Sequence, residues 1–432
     1  MPTPSLILVP ARFKTGKLYT PLATTSGGVV LGASGDFNVT RATAATRVNA
    51  SGLIESVASG IPRLDYFASG GVVGCPALLV EPSAQNLAFN SADFTVSGTW
   101  TSGANTISAN VTATLDPAGT NTADKIIPTA VSTTHFISNS QSIAFTSGTT
   151  YTVSVFAKAG GYDFLRIAFS TEVMPSSNRG ASFNLTSGTV GDTQSGVTAR
   201  IENYGNGWYR CSISRAATVS ITPSNPFFIN SQNSDSATSV TFTGDGTSGA
   251  FLYGAQLETG SVATSYIPTT TAAVTRNTDL IFTSGAVSGA IGQTEGTIYA
   301  EVDVRNFTVN SRIISISDGT QSNRITTLFV ATNAIRMLAT VTGSTQASIT
   351  SATQSAGIFK IAIGYALNDY ALYINGVQIG TDTLASVPAC NVVVLGSVDS
   401  LSSGNAFNDR IRAAALYTTR LTNDQLAALT TP

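Results

Sequence analysis

Apolar and polar residues alternate with a period of two in stretch after stretch of this chain, and that rhythm restricts it to half-buried β-strands. Ile298-Tyr-Ala-Glu-Val-Asp-Val304 sends Ile298, Ala300, Val302 and Val304 to one face and Tyr299, Glu301 and Asp303 to the other. Phe164–Phe169 places Leu165, Ile167 and Phe169 inward and leaves Phe164 and Arg166 outward. Trp208-Tyr-Arg-Cys-Ser-Ile213 puts Tyr209, Cys211 and Ile213 on one face, with Trp208 and Arg210 sharing the other. Tyr151-Thr-Val-Ser-Val155 alternates apolar with hydroxyl residues, and Gly- and Ser-rich turns separate such runs. The expected fold class is therefore all-β: two tandem antiparallel β-sandwiches of jelly-roll type after an irregular N-terminal segment, with one short C-terminal helix.

Two local signals are sharper than the rest. Asn375-Gly376 suits a type I′ turn, because both central positions need positive φ. A two-residue loop there pairs Ile374 with Val377 and Leu372 with Ile379, giving one apolar face. Near the end, Thr422-Asn-Asp-Gln425 reads as a capping box, and Leu421 before the cap can staple onto Leu426. A helix of about two turns must dock on a sandwich to survive.

Composition excludes several classes of partner. Only 11% of the 432 residues are charged, against roughly a quarter in an average soluble protein, so hydroxyls and amides must cover the surface. A net charge of −2 gives no basic footprint for nucleic acid or anionic lipid. The apolar run Leu6-Ile-Leu-Val9 ends at Pro10, too short for a signal peptide. No stretch approaches the ~20 apolar residues that cross a bilayer, so no membrane insertion is expected. Cys75, Cys211 and Cys390 lie far apart and are odd in number, which suits buried free thiols rather than disulfides or a zinc site.

Three regions follow from the turn signals. Residues 1–75 carry few clear strands and are unlikely to hold a core of their own, so they are expected to pack on a neighbouring module, a sister subunit or a particle surface. Residues 76–276 and 277–432 each read as one sandwich.

Chemistry is sparse. His135 is the single histidine and has no cysteine or carboxylate cluster beside it, so any serine triad would have to use it, and a structural role is expected. No nucleophile elbow, phosphate loop or zinc-protease motif occurs. Glycoside cleavage needs only two carboxylates; Glu301 and Asp303 on one strand face, and Asp369 in a turn, are the candidates, with solvated surface carboxylates as the alternative. The carboxylates and carbonyls of Asp116–Asp124 have the atom types for calcium but not the spacing of a known calcium loop, so no cofactor is expected. Sugar recognition needs an aromatic face for a pyranose ring and planar polar groups for its hydroxyls. Trp208 beside Arg210 offers both, as does Phe164 beside Arg166, and Trp100 and Tyr162 are further candidates. For the two tryptophans the alternative is core packing.

Several short motifs recur in an order that resembles a known module. Arg63-Leu-Asp-Tyr66, Pro76-Ala-Leu-Leu-Val-Glu-Pro82, Asn86-Leu87, Asp93-Phe94 with Trp100, Thr122-Ala-Asp-Lys125, Tyr151–Lys158, Gly207-Trp-Tyr-Arg210 and Gly254-Ala-Gln-Leu-Glu258 together resemble the carbohydrate-binding-type jelly roll of bacteriophage virion-surface proteins. Tyr253–Pro268, closing on Val274-Thr-Arg276, resembles that module's exit, and Asp36–Arg41 with Ala45–Asn49 resembles the leader before it. Phe359–Tyr365, Tyr373–Gly376 and Ala415–Thr422 resemble a concanavalin/laminin-G-like sandwich. The resemblance implies a non-enzymatic head or tail fibre, spike or decoration protein on the virion surface, assembled in the host cytoplasm. It further implies a homotrimer, attachment to other virion proteins through residues 1–75, and multivalent adhesion to cell-surface or environmental glycans. A purely structural virion component and a polysaccharide depolymerase are the rival readings.

Overall fold

In the computed structural model, which describes residues 2–19, 22–23, 36–67, 74–174, 179–283, 287–305, 307–397 and 406–432, the all-β reading holds: two antiparallel sandwiches and a single helix, Asn423–Thr430. The first sandwich is a jelly roll. One of its sheets orders the strands Trp100–Gly103, Ser132–Asn139, Phe227–Gln232, Phe164–Phe169, Gly180–Asn184 and Thr189–Thr193. The other orders Asn105–Ser108, Asp124–Pro128, Gly249–Thr259, Thr150–Gly160, Tyr209–Ala216 and Thr198–Asn203. Leu165, Ile167, Phe169, Cys211 and Ile213 meet in the core between them, on the faces their alternation assigned.

The second sandwich is built from both ends of the chain. Leu6–Leu8 lies against Asp409–Tyr417, with Leu6 opposite Leu416 and Leu8 opposite Ala414. Phe37–Thr40 pairs with Leu280–Thr283, and Ala77–Val80 pairs with the start of Asp409–Tyr417. Leu6, Leu8, Phe37, Val39, Leu64, Leu78 and Val80 sit in one core with Ile298, Val302, Ile314, Leu372 and Leu416. Of the neighbours expected for residues 1–75, the described strands pack on a module of the same chain and complete this sandwich. Leu6 and Leu8 are buried with Ile7 half-buried between them, and a run that short carries no sign of which distant strand it will join.

The jelly roll is thus an insertion in the second sandwich rather than a unit strung before it. The strands that lead into and out of it, Ala84–Asn86 and Val274–Arg276, pair antiparallel as a two-stranded neck, with Ala84 opposite Arg276 and Asn86 opposite Val274.

The two local signals are both found. Thr422 caps the helix with the reciprocal bonds of a capping box, and Leu421 and Leu426 bury with Tyr299, Tyr373 and Ala362 where the helix docks on the sheet. Tyr299, expected outward, is covered by that docking. At the hairpin, Ile374 opposes Val377 and Asn375 and Gly376 take positive φ. A bulge then shifts the register, so Leu372 faces Gly380 instead of Ile379, and Val377 stays exposed. An added residue of this kind twists an edge strand and is invisible to an alternation pattern.

Candidate functional site

Four charged residues of the motifs, Arg41, Arg63, Glu81 and Arg276, meet at the neck in a buried cluster with Asp279. Arg63 donates to Glu81 at 2.5 Å and also bonds Asp279. Arg276 donates to the same Glu81 oxygen at 2.6 Å, and Arg41 reaches Asp279 at 2.9 Å. Three guanidinium groups therefore share two carboxylates, all five side chains being at most 3% exposed. Burial works against the charge on Glu81, but Arg276 and Arg63 outweigh it and hold the carboxyl well below its usual range. The strap Thr264–Ile267 is stitched to the same cluster. Ser265 donates its N–H to Glu81 at 2.7 Å, Thr264 donates N–H and hydroxyl to the buried Glu258, and Thr46 donates to the Tyr266 carbonyl. Asn86 satisfies all its bonding capacity here, accepting from Ala88 and Leu257 and donating to Ala255 and Ile267.

A second cluster ties the modules together nearby. Arg305 of the second sandwich pairs with Glu202 of the jelly roll at 2.7 Å and with Asp409 at 3.1 Å. Arg410 pairs with Asp65 at 2.5 Å, and both guanidinium groups stack over Phe67 at 5.1 and 4.9 Å. The junction closes down to a cavity of about 20 Å³ lined by Asp65, Glu81, Phe156, Tyr204 and Arg210, room for about one water molecule. The ion pairs around this space hold the two modules together.

Four of the six expected sugar-contact residues are buried. Trp208, 1% exposed, packs with Ile54, Phe156 and Tyr253 and donates its indole N–H to the Leu115 carbonyl at 2.8 Å. Arg210 bonds the Thr264 carbonyl and the Ser154 hydroxyl. Trp100 packs on Phe94 and Phe227 and donates to the Asn90 carbonyl. Arg166 bonds the Ala237 carbonyl and Asn230; burial, with Arg179 adding repulsion, lowers its pKa to about 10. These four side chains present no face to solvent. Alternation named the side of the sheet correctly for Trp208, Arg210 and Arg166, but that side is roofed by distant chain: the hairpin carrying Ile54 and the strap over Trp208 and Arg210, and the Ala237–Ser239 turn over Arg166; Trp100 instead joins the core between the sheets. Phe164 and Tyr162 are half-buried, and Tyr162 stacks edge-on with Phe242. Trp100, Phe164 and Arg166 lie on one sheet and Arg210 on the other, with Trp208 and Tyr162 just outside the strands.

The other candidates are also occupied. Glu301 pairs with Arg412 at 2.8 Å and Asp369 with Arg420 at 2.9 Å, while Asp303 is half-buried on its strand. Asp116 accepts bonds from Ala118, Thr120 and Thr122, which use up the oxygens a cation would need. Among the described residues no group of three or more His, Cys, Asp or Glu is placed to hold a metal ion. His135 is fully buried, its ring nitrogens 2.6 and 3.0 Å from the carbonyls of Ala104 and Phe242. Cys211 and Cys390 are buried as expected, but Cys75 is exposed, because it stands just before its strand begins at Ala77.

An open cleft of about 560 Å³ remains between the modules. The edge strand Thr198–Asn203 and Ser261 and Val262, just before the strap, form its jelly-roll wall. Loops of the second sandwich form the other, with Phe307, Asn333, Thr353, Gln354 and Ser355. Phe307 is braced from behind by Phe329 and Phe359, at 4.8 and 6.2 Å between ring centroids. Alternation turns Ala199 and Ile201 to the jelly-roll core and Arg200 to the cleft. The cleft has what sugar recognition requires: a braced aromatic side chain, a guanidinium, carboxamides and hydroxyls. No motif marked these residues, because five separate segments supply them and each is ordinary alone.

No known family model and no curated protein matches the chain. Among solved structures it is similar to the Ruminococcus gnavus IT-sialidase CBM40, at 18% identity and a TM-score of 0.29 over 34% of this chain and 92% of that one. Domain 4 of AbnA, a GH43 extracellular arabinanase from Geobacillus stearothermophilus, is similar at 14% identity and a TM-score of 0.28, covering 39% and 82%. The leech intramolecular trans-sialidase is similar at 16% identity and a TM-score of 0.29, covering 34% and 26%. At such TM-scores these likenesses assign no function, and the cleft stands on its own geometry.

Proposed function

We propose that this chain is a non-enzymatic adhesion protein that binds glycans in the cleft between its two sandwiches, working as a fibre, spike or decoration protein of a phage virion surface. The carrying observation is the cleft itself. It is a pre-formed groove of about 560 Å³, lined by hydroxyl, carboxamide and guanidinium groups around Phe307, a size and chemistry suited to a short oligosaccharide. The virion role rests on the ordered motifs from Arg63 to Arg276. Many copies per particle would turn weak single-site binding into firm attachment.

Supporting the non-enzymatic reading, Glu301 and Asp369 are each held by an arginine, and neither lines the cleft. The test is a glycan array probed with the protein displayed multivalently, alongside Ser355→Trp, which fills the cleft from an exposed loop position. Binding by the parent and its loss in Ser355→Trp is the expected result. Absence of binding at high valency refutes adhesion and leaves the purely structural role. Cleavage of a bound polysaccharide would instead establish a depolymerase.

A further inference from the structure

Arg200 is placed unlike most of the arginines at this junction. Arg41, Arg63, Arg276, Arg305 and Arg410 each hold a carboxylate. Arg200 makes no ion pair with a described carboxylate; its one side-chain bond among the described residues is from Nη1 to the Arg305 carbonyl at 2.8 Å. Glu202 and Asp409 attract it from further off, but both are engaged by Arg305. That single bond fixes the guanidinium to the opposite module and leaves its remaining N–H groups at the cleft wall without a partner among the described residues. Burial meanwhile draws its pKa below the ordinary value, a sign of a guanidinium stripped of part of its water.

A half-desolvated, pre-oriented guanidinium gains most from a planar anion, because two parallel N–H groups match two carboxylate oxygens. The other charged residue of the lining is Arg305, which is held by Glu202 and Asp409, and Thr198, Phe307, Asn333, Thr353 and Gln354 are neutral, so no carboxylate of the lining competes for Arg200 inside the groove. We propose that the cleft selects acidic glycans, with Arg200 pairing the carboxylate of a uronic or other carboxylated sugar while Phe307 and the amide and hydroxyl lining take the neighbouring neutral residue. This rests on the adhesion reading above and names the ligand class of the same cleft.

The experiment is an array carrying uronic-acid and sialic-acid oligosaccharides, each printed beside its own methyl ester, probed with the full chain, Arg200→Gln, Arg200→Lys and Ser355→Trp. Thermal melting of each variant checks that it is folded. The expected result is binding of acidic members at least tenfold above their esters, weakening as salt is raised. Arg200→Gln should lose that preference, and Arg200→Lys should keep part of it. Equal binding of acid and ester, or a preference that survives Arg200→Gln, overturns the acidic assignment while adhesion stands. Binding of neither form by the folded parent overturns both. Should Arg200→Gln fail to fold, the salt dependence and the acid-to-ester ratio of the parent decide alone.

Discussion

Glu81→Gln is the substitution that most severely tests the buried charge at the neck. The side chain keeps its size, so the change is one of charge alone. Arg41, Arg63 and Arg276 then face only Asp279, and the cluster moves from one excess positive charge to two. Removing one partner of a buried ion pair costs about 3–5 kcal/mol. Arg63→Met is larger in shape but leaves two guanidinium groups on two carboxylates, with Glu81 still held by Arg276 and Asp279 by Arg41. Replacing a buried charge by a well-packed apolar chain is far cheaper, so it should cost roughly half as much or less. At about 2–4 °C per kcal/mol for a domain of this size, Glu81→Gln should lower the melting temperature by roughly 6–20 °C. Because Glu81 bonds both the neck and the strap of the jelly roll, the unfolding of both modules should move. Thermal melts by circular dichroism at pH 7 read this directly. The reasoning is refuted if Glu81→Gln melts within about 2 °C of the parent, or if Arg63→Met proves the more damaging.

Acid gives a second view of the same carboxylate. Its pKa is depressed in the folded state, so the unfolded chain binds the extra proton first; the stabilisation is whole above the unfolded value of about 4.3 and is lost as pH falls below it. Glu81→Gln should flatten that part of the stability–pH curve, as measured by urea denaturation between pH 5 and 3. Deleting residues 2–10 should unfold the second sandwich rather than release a free arm, because Leu6 and Leu8 are core residues beside Asp409–Tyr417; a truncated chain that melts like the parent would contradict the pairing. Native protein should show one reactive thiol, Cys75, and three after denaturation. Cys211 and Cys390 are buried, with burial pushing Cys211 well above the ordinary thiol value and Cys390 to about 12. Three fast thiols in the native state would overturn that placement.

How much was legible in the sequence can be followed residue by residue. Asn375-Gly376 and Thr422–Gln425 were readable because turns and caps are chosen by contacts a few residues apart. Cys211 and Ile213 were assigned to the right face because strand geometry alternates whatever lies opposite. Whether Trp208, Arg210 and Arg166 face water stayed open in the sequence for the complementary reason. A two-residue period separates two faces, but only the rest of the chain decides whether the second is open to water. Glu81, Arg63 and Arg276 were visible as motif letters in a chain poor in charge, yet their pairing spans 195 residues from Glu81 to Arg276 and has no local signature. The cleft was hardest of all, since Arg200 and Phe307 become neighbours only after the jelly roll is hung from its neck.

Hydrogen–deuterium exchange with and without an array-selected oligosaccharide tests the central claim most directly, because it reports where the ligand lies as well as whether it binds. The account predicts slower exchange in residues 198–202, 261–262, 305–309 and 353–357, with little change on the remaining jelly-roll loops. Protection confined to those other loops, with the cleft segments unchanged, would contradict it.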